Sequence, residues 1–223
     1  MECVVYSVGS SVVEEMLDAV GGLGWDVRGG VANVETGYRP ADLAPIVGPE
    51  AIPPDWLLLP VVVPLVTPGH RWHVAREAVE RGFRSFAAVV DRTANVSPSA
   101  VVGDGSFVGV GAIVGARSRL GLLVWVSRGA IVSHHADLAD YAALGPGCTV
   151  CGHVSVGTGA FVGAGAVVNP KVSVGANAVV GSGSVVRRDV PAHTLVAGNP
   201  ATVVAEVAGY NDVSVGERVA RGA

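Results

Sequence analysis

Three histidines are the residues of this chain best suited to chemistry near neutral pH: His134, His135 and His153. Imidazole changes charge close to physiological pH, so it can act as a general base, and in its neutral form it also binds metal ions. His135 and His153 are eighteen residues apart, and Gly152 follows His134 at the same interval. What these residues can do depends on whether the chain stacks positions that are eighteen residues apart.

A six-residue period provides that stacking. From Val96 to Val186 every sixth residue is Val or Leu, and a small or short side chain lies four positions after each one except the last. An α-helix turns through about 600° in six residues, so it cannot keep this pattern on one face. Three short strands per turn can, and eighteen residues then form one triangular coil. The period therefore predicts a hexapeptide-repeat parallel β-helix.

This fold makes further features predictable. Fifteen hexads give five coils, which stack into a column about 24 Å tall at the spacing of β-strands. Glycine usually follows the aliphatic residue, and we expect it at a tight corner with positive φ. Leu122, Leu123 and Trp125 lie outside the core positions. They predict apolar flanks that associate in a closed three-fold assembly, a homotrimer.

The first ninety residues lack the period and predict a small parallel α/β domain. The pattern favours strands at 2–8, 25–31, 57–63 and 86–90 and helices at 10–20 and 71–81, with Gly82 as a C-cap. The predicted organisation is an α/β substrate domain over residues 1–90, a β-helix over residues 91–202, and a C-terminal tail over residues 203–223.

Composition narrows the classes of function. Half of the residues are hydrophobic, 15% are charged, and the net charge of −4 gives no reason to expect a nucleic-acid partner. The most apolar run outside the repeat, residues 56–66, is too short to cross a bilayer. No secretory signal is evident, and three cysteines make no disulfide framework. We therefore expect a cytoplasmic protein without a membrane span.

The hexads, together with three short segments, resemble the sugar O- and N-acyltransferases of the sialic-acid O-acetyltransferase type. The segments are Val132-Ser133-His134-His135-Ala136, Gly152-His153-Val154-Ser155-Val156-Gly157 and Gly198-Asn199-Pro200-Ala201. The resemblance covers about residues 3–202 and includes enzymes that N-acetylate nucleotide-linked 4-amino sugars. It implies a left-handed β-helix and a homotrimer with active sites between subunits. It also implies acetyl transfer from acetyl-CoA to an amino or hydroxyl group of a sugar, with no metal.

The resemblance also implies roles for single residues. His134 matches the position of the family's general base. Gly152 matches the position whose backbone N–H stabilises the oxyanion in the family. His135 stands where the family has an acidic residue. Acetyl-CoA contacts fall at Ala143, Gly152, Ala164 and Ser182, and Ala143 replaces a histidine of the family.

Acceptor binding is implied at Ser7, Gly9, Ser10, Asn33 and Arg71. The family's glycine-rich turn after the first strand carries a single glycine here, but a helix N-terminus capped by Ser can hold a phosphate. Asn33 is the polar candidate where the family has two Asp residues. Either the acceptor differs from the usual one, or the domain has lost nucleotide binding.

Two other functions stay open at this point. The first is a metal-dependent trimeric β-helix enzyme of the carbonic anhydrase type. For this function, His135 and His153 would stack about 5 Å apart and a neighbouring subunit would supply a third ligand. The second is a trimeric scaffold without activity. The sequence also leaves open whether the acceptor atom is nitrogen or oxygen, and how long the acyl chain is.

Overall fold

The structure, a computed structural model, describes residues 1–33 and 38–209. It opens with a four-stranded parallel sheet of strand order β3-β2-β1-β4, formed by β1 (Glu2–Tyr6), β2 (Asp26–Val31), β3 (Ile46–Val47) and β4 (Val61–Val62). Helix α1 (Val13–Gly22) joins β1 to β2, and helix α2 (Pro68–Glu80) follows β4. Two 3-10 helices, Pro49–Ala51 and Pro54–Leu58, lie between β3 and β4. No helix in the described ranges is long and apolar enough to span a bilayer.

Helices cover both faces of this sheet because neighbouring residues of a strand point to opposite sides. Val5 of β1 shares a buried cluster with Met16 of α1. Its neighbour Val4 shares a second cluster with Val74 of α2. The predicted α/β layer is therefore confirmed.

The predicted elements differ from the structure in detail. In the run 57–63 only Val61–Val62 is a strand, because Leu58 still belongs to a 3-10 helix and Pro60 has no N–H to donate. Strand β3 was missed, since two residues are too few to show a pattern. Helix α2 begins at Pro68, three residues before the predicted start, and ends before Gly82, whose φ is +109°.

The second part of the chain is a triangular prism with three parallel sheets as its faces. Face 1 contains Val89–Val90, Phe107–Val108, Trp125–Val126, Ala143–Leu144, Phe161–Val162, Val179–Val180 and Thr194–Gly198. Face 2 contains Asn95–Val96, Ile113–Val114, Ile131–Val132, Thr149–Val150, Val167–Val168 and Val185–Val186. Face 3 contains Val101–Val102, Arg119–Leu120, Asp137–Leu138, Ser155–Val156 and Ser173–Val174. Strands of one face pair at steps of eighteen residues, for example Ile131 with Thr149. This is the predicted left-handed parallel β-helix.

The prism begins earlier than predicted. Val89–Val90 was assigned to the N-terminal sheet, but it pairs with Phe107–Val108 and forms the first strand of face 1. That prediction was wrong because Val90 lies six residues before Val96 and so already follows the repeat. The second residue of each two-residue strand points inward, and these aliphatics with the small corner residues form one continuous core.

The predicted role of the glycine that follows the aliphatic residue was wrong. Positive φ occurs three residues after the aliphatic, as at Gly129, His135 and His153, and not at the glycine that directly follows it. The directly following glycine serves a close approach between coils. At Gly115, for instance, a Cβ atom would lie 2.8 Å from the backbone nitrogen of His134 in the next coil. Only glycine fits such a contact.

The N-terminal layer packs on face 1 of the prism. Trp125 is 1% exposed and stacks on Phe107 with ring centroids 4.3 Å apart, and both rings share a cluster with residues of β1 and α1. Leu123 is buried in the cluster on the other side of the sheet, whereas Leu122 stays 47% exposed. The prediction that Leu123 and Trp125 are apolar flanks for association was therefore wrong, because the chain covers them itself.

A hairpin closes the prism. Thr194–Gly198 extends face 1 and pairs antiparallel with Ala201–Glu206, and the motif at residues 198–201 forms the turn between them. The predicted tail 203–223 lies outside the described residues from position 210 onward.

Candidate active site

The side chain of His134 is exposed at the corner between face 2 and face 3. The inward Val132 ends a strand two residues before it, and the backbone then turns through His135 at φ +55°. The His134 carbonyl accepts a hydrogen bond from the N–H of His153 at 3.1 Å, so the next coil fixes this corner. The imidazole therefore projects into solvent from a backbone that is held rigidly.

Gly152 lies one coil above His134. Because it has no side chain, the His134 ring can lie directly against its backbone. A Cβ atom at Gly152 would lie 2.7 Å from Cε1 and 2.8 Å from Nε2 of His134. The Gly152 N–H makes no hydrogen bond within the described part of the chain. An imidazole and an unused backbone donor thus lie side by side, as the pairing of positions 134 and 152 predicted.

Gly152→Ala tests this contact. The added methyl would displace the imidazole, and a shift of about 1 Å in a catalytic group can lower a rate severely. We expect kcat to fall at least about tenfold, with little change in melting temperature because the ring moves outward into solvent. Steady-state kinetics and thermal unfolding measure the two effects. Gly48→Ala is the control, since nothing lies within 4 Å of its Cβ position, and equal kinetics for both variants would contradict the contact.

Two more imidazoles surround His134. The Nδ1 atoms of His134 and His135 are 3.2 Å apart, so the Nε2 atom of His134 is the one left for a substrate. His135 and His153 stack with centroids 4.8 Å apart and ring planes 19° apart. Partial desolvation, followed by the positive charges of His153, His134 and Arg117, lowers the pKa of His135. This shift favours a neutral imidazole next to His134.

The predicted acetyl-CoA contacts divide into two groups. Ala164 and Ser182 are exposed and stack at the corner between face 1 and face 2. Ala143 is fully buried between face 1 and the N-terminal layer, in the cluster of Phe107 and Trp125. The placement of Ala143 at acetyl-CoA therefore remains a prediction that this geometry does not favour, because its side chain points into a core.

The turn after β1 does not offer the predicted phosphate cradle. The N–H groups of Ser7 and Val8 both donate to the carbonyl of Val31, at 2.8 and 3.2 Å. Helix α1 has no side-chain cap, and its first turn carries Glu14 and Glu15, which repel an anion. Phosphate binding at Ser7, Gly9 and Ser10 therefore remains a prediction that this geometry does not favour.

A polar group occupies the carboxyl edge of the N-terminal sheet. Asn33 follows β2 and donates from Nδ2 to Oε2 of Glu77 on α2, at 2.7 Å. The Asn33 Oδ1 atom is buried and has no partner among the described residues. Burial, and after it the carboxylate of Glu77, raises the pKa of Tyr6 at the end of β1. Tyr6 and Glu77 were not predicted, because an apolar strand and a helix surface give no signal of such a site.

Arg71, a predicted acceptor contact, is buried between helix α2 and the prism. Its side chain is 1% exposed. It donates five hydrogen bonds of 2.6–3.2 Å to backbone carbonyls, namely those of Leu65, Val66, Leu123, Tyr141 and Ala142. The guanidinium therefore joins the start of α2 to two coils of the prism, and its burial leaves little surface for the predicted acceptor contact.

Comparisons with known proteins agree with this fold. The family described as bacterial transferase hexapeptide (six repeats) matches residues 153–188. The structure is similar to that of PerB from Caulobacter crescentus in complex with CoA and GDP-perosamine, with a TM-score of 0.81 and 32% identity over 91% of this chain and 97% of that chain. It is also similar to the acetyltransferase domain of PglB from Neisseria gonorrhoeae in complex with acetyl coenzyme A. In that case the TM-score is 0.80 and the identity 26%, over 91% of this chain and 98% of that chain. No curated protein sequence matches the chain.

The prism of hexapeptide coils, together with its similarity to these acetyltransferase structures, identifies the protein as a hexapeptide-repeat acyltransferase. The chain belongs to the family of sugar O- and N-acyltransferases of the sialic-acid O-acetyltransferase type.

Proposed function

We propose that this enzyme transfers an acetyl group from acetyl-CoA to the amino group of a nucleotide-linked amino sugar, with His134 as the general base. The observation that carries the proposal is the contact between the His134 ring and Gly152, whose N–H has no partner in the described ranges. Acyl transfer needs both a base for the nucleophile and a donor for the oxyanion.

The order of events follows from these two groups. The sugar amine attacks the thioester carbon, and Nε2 of His134 takes a proton from the amine. The N–H of Gly152 donates a hydrogen bond to the oxygen of the tetrahedral intermediate. When the intermediate collapses, the C–S bond breaks, and the CoA sulfur leaves with the proton that His134 held. The products are the amide and free CoA.

The proposed substrates rest on the relatives. PerB was crystallised with CoA and GDP-perosamine. Perosamine N-acetyltransferase from the same organism was also crystallised with one histidine replaced by asparagine, at 31% identity and a TM-score of 0.82 over 92% of this chain and 97% of that chain. In open α/β sheets ligands bind outside the carboxyl ends of the strands. We therefore assign acceptor recognition to the edge where Tyr6, Asn33 and Glu77 meet.

The active site is proposed to lie between subunits of a homotrimer. His134 and Gly152 lie at one edge of face 2, whereas Ala164 and Ser182 lie at the opposite edge, so one chain keeps the two groups apart. Four of the six outward residues of face 2 are apolar, namely Ile113, Ile131, Val167 and Val185. They form a ladder in which Ile113 is 43% and Ile131 37% exposed. The prism of a second subunit packed on this face would cover the ladder. It would also bring its own corner with Ala164 and Ser182 next to His134 of the first subunit.

Ile131→Glu is expected to convert the trimer to monomers and to lower activity at least about tenfold, because it would bury a charge in the subunit contact. Light scattering at micromolar concentration measures the mass. Val101→Glu is the matched control, since Val101 is 56% exposed on face 3, where the outward neighbours are Arg119, Asp137, Ser155 and Ser173. A trimeric Ile131→Glu variant, or a monomeric wild type, would contradict this assembly.

The reaction is tested by incubating the protein with acetyl-CoA and a panel of nucleotide-linked amino sugars while recording the release of free thiol. We expect thiol release with an amino-sugar nucleotide and an acetylated product by mass spectrometry. Thiol release without an amine acceptor, or with a hydroxyl acceptor alone, would contradict the proposal. Membership of an acyltransferase family favours this reaction over carbonic anhydrase chemistry and over an inactive scaffold.

A further inference from the structure

The three histidines at the active corner form a nitrogen-only cluster within a single chain. One ring nitrogen from each of His134, His135 and His153 can be chosen so that all three lie within 4.8 Å of one another. The side chains are exposed, and neutral imidazole is a common ligand of divalent transition metals. The third ligand thus comes from the same chain and not from a neighbouring subunit.

The backbone of this cluster is fixed while its side chains can move. The His153 N–H donates to the His134 carbonyl at 3.1 Å, and the His135 N–H donates to that of Ala116 at 2.9 Å. Zn–N bonds of about 2.0–2.1 Å in tetrahedral geometry place ligand nitrogens about 3.4 Å apart. Rotation about the side-chain torsions of exposed imidazoles closes the remaining gap on a fast timescale.

We propose that His134, His135 and His153 bind one divalent transition-metal ion of the Zn²⁺ class, and that this ion inhibits the enzyme reversibly. Three imidazoles leave a fourth position for water, as in open zinc sites. Mg²⁺ and Ca²⁺ prefer oxygen ligands and would not bind here. Arg117 lies one coil below, at the position equivalent to His135, and its positive charge sets a limit on affinity.

Inhibition follows from the position of His134 and rests on the proposed function. A metal ion that holds the lone pair of the imidazole leaves His134 unable to take a proton from the acceptor amine. Metal binding itself does not depend on that function, because it needs only the three side chains. The two parts can therefore be measured separately.

Binding is tested by calorimetric titration of ZnCl₂ into the full chain after treatment with a chelator. We expect one Zn²⁺ per chain, no heat of binding with MgCl₂, and at least about tenfold weaker Zn²⁺ binding for His153→Ala, which loses one of three ligands. His193→Ala should bind as the wild type does, since His193 is exposed at another corner with a similar φ of +58°. Unchanged Zn²⁺ affinity in His153→Ala, or no binding by the wild type, overturns the site.

Inhibition is tested in the acetyl-transfer assay. Zn²⁺ should inhibit the wild type, EDTA should restore activity, and His153→Ala should require at least about tenfold more Zn²⁺ for the same inhibition. Wild-type activity that is insensitive to saturating Zn²⁺ overturns the inhibitory role. If Zn²⁺ binds but no acceptor is acetylated, the proposed function fails and the metal site stands. If an acceptor is acetylated but Zn²⁺ does not bind, the metal site fails and the proposed function stands.

Discussion

His134→Ala is expected to lower kcat by roughly 10²–10⁴-fold, the usual effect of removing a general base. The amine would then have to lose its proton to water while it attacks the thioester. The Gly152 N–H and the binding surfaces remain, so the variant should still bind acetyl-CoA. Steady-state assays of thiol release measure kcat. Equilibrium binding of CoA measures the affinity that the variant retains.

Two variants make this result specific. His193→Ala removes an exposed imidazole from a different corner and should leave kcat unchanged. His135→Ala should lower kcat less than His134→Ala. In the proposed mechanism His135 acts only indirectly, through the 3.2 Å contact between its Nδ1 atom and Nδ1 of His134. If His135→Ala proves the more damaging of the two, the base has been assigned to the wrong histidine.

Arg71→Met should destabilise the protein more than any other change considered for this chain. The variant retains much of the apolar stem but leaves four backbone carbonyls without their donor. The fifth, that of Ala142, keeps the N–H of Trp125 at 2.9 Å. Each buried polar group left unsatisfied costs about 1–3 kcal/mol. Water at the partly buried carbonyls reduces the sum, so we expect a loss of about 3 kcal/mol and a fall in melting temperature of roughly 10 °C.

The control lies on the same helix. Arg76 is exposed and pairs with Glu80 at 3.1 Å, and Arg76→Met should change the melting temperature little, since exposed ion pairs contribute little. Arg71→Lys should recover only part of the loss, because one ammonium cannot reproduce the fork of a guanidinium. A stable Arg71→Met variant with a raised Michaelis constant for the acceptor would instead support the predicted contact with substrate.

Much of the prism was predictable because its signal is local and repeated. Each hexad requires one inward aliphatic and one small corner residue, so the register of Val132 already places His134 outside and His135 one coil below His153. The same register pairs His134 with Gly152. These relations depend only on the eighteen-residue step, and the structure confirms them in the stacked rings of His135 and His153.

The backbone conformation and packing role of each corner residue were less predictable. A glycine after the aliphatic residue can serve either a positive φ or a close approach, and the sequence does not distinguish the two. The stacking of coils decides it, since the Cβ position of Gly115 meets the backbone of His134. His135 and His153 adopt positive φ without being glycine. Histidine is enriched among the non-glycine residues that do so, but this preference is too weak to predict the conformation at a given position.

The hexapeptide period was enough to predict the parallel β-helix, its register and the pairing of His134 with Gly152, because a strict period leaves one way to bury the aliphatic residues. Which outward residues are covered depends on long-range packing, about which the period says nothing. Trp125 on face 1 and Ile131 on face 2 are both apolar and both point outward, yet the N-terminal layer docks on the first and leaves the second exposed. Arg71 became an interior donor through the same docking, since three of the five carbonyls it bonds, those of Leu123, Tyr141 and Ala142, lie in the prism, 52–71 residues away in sequence.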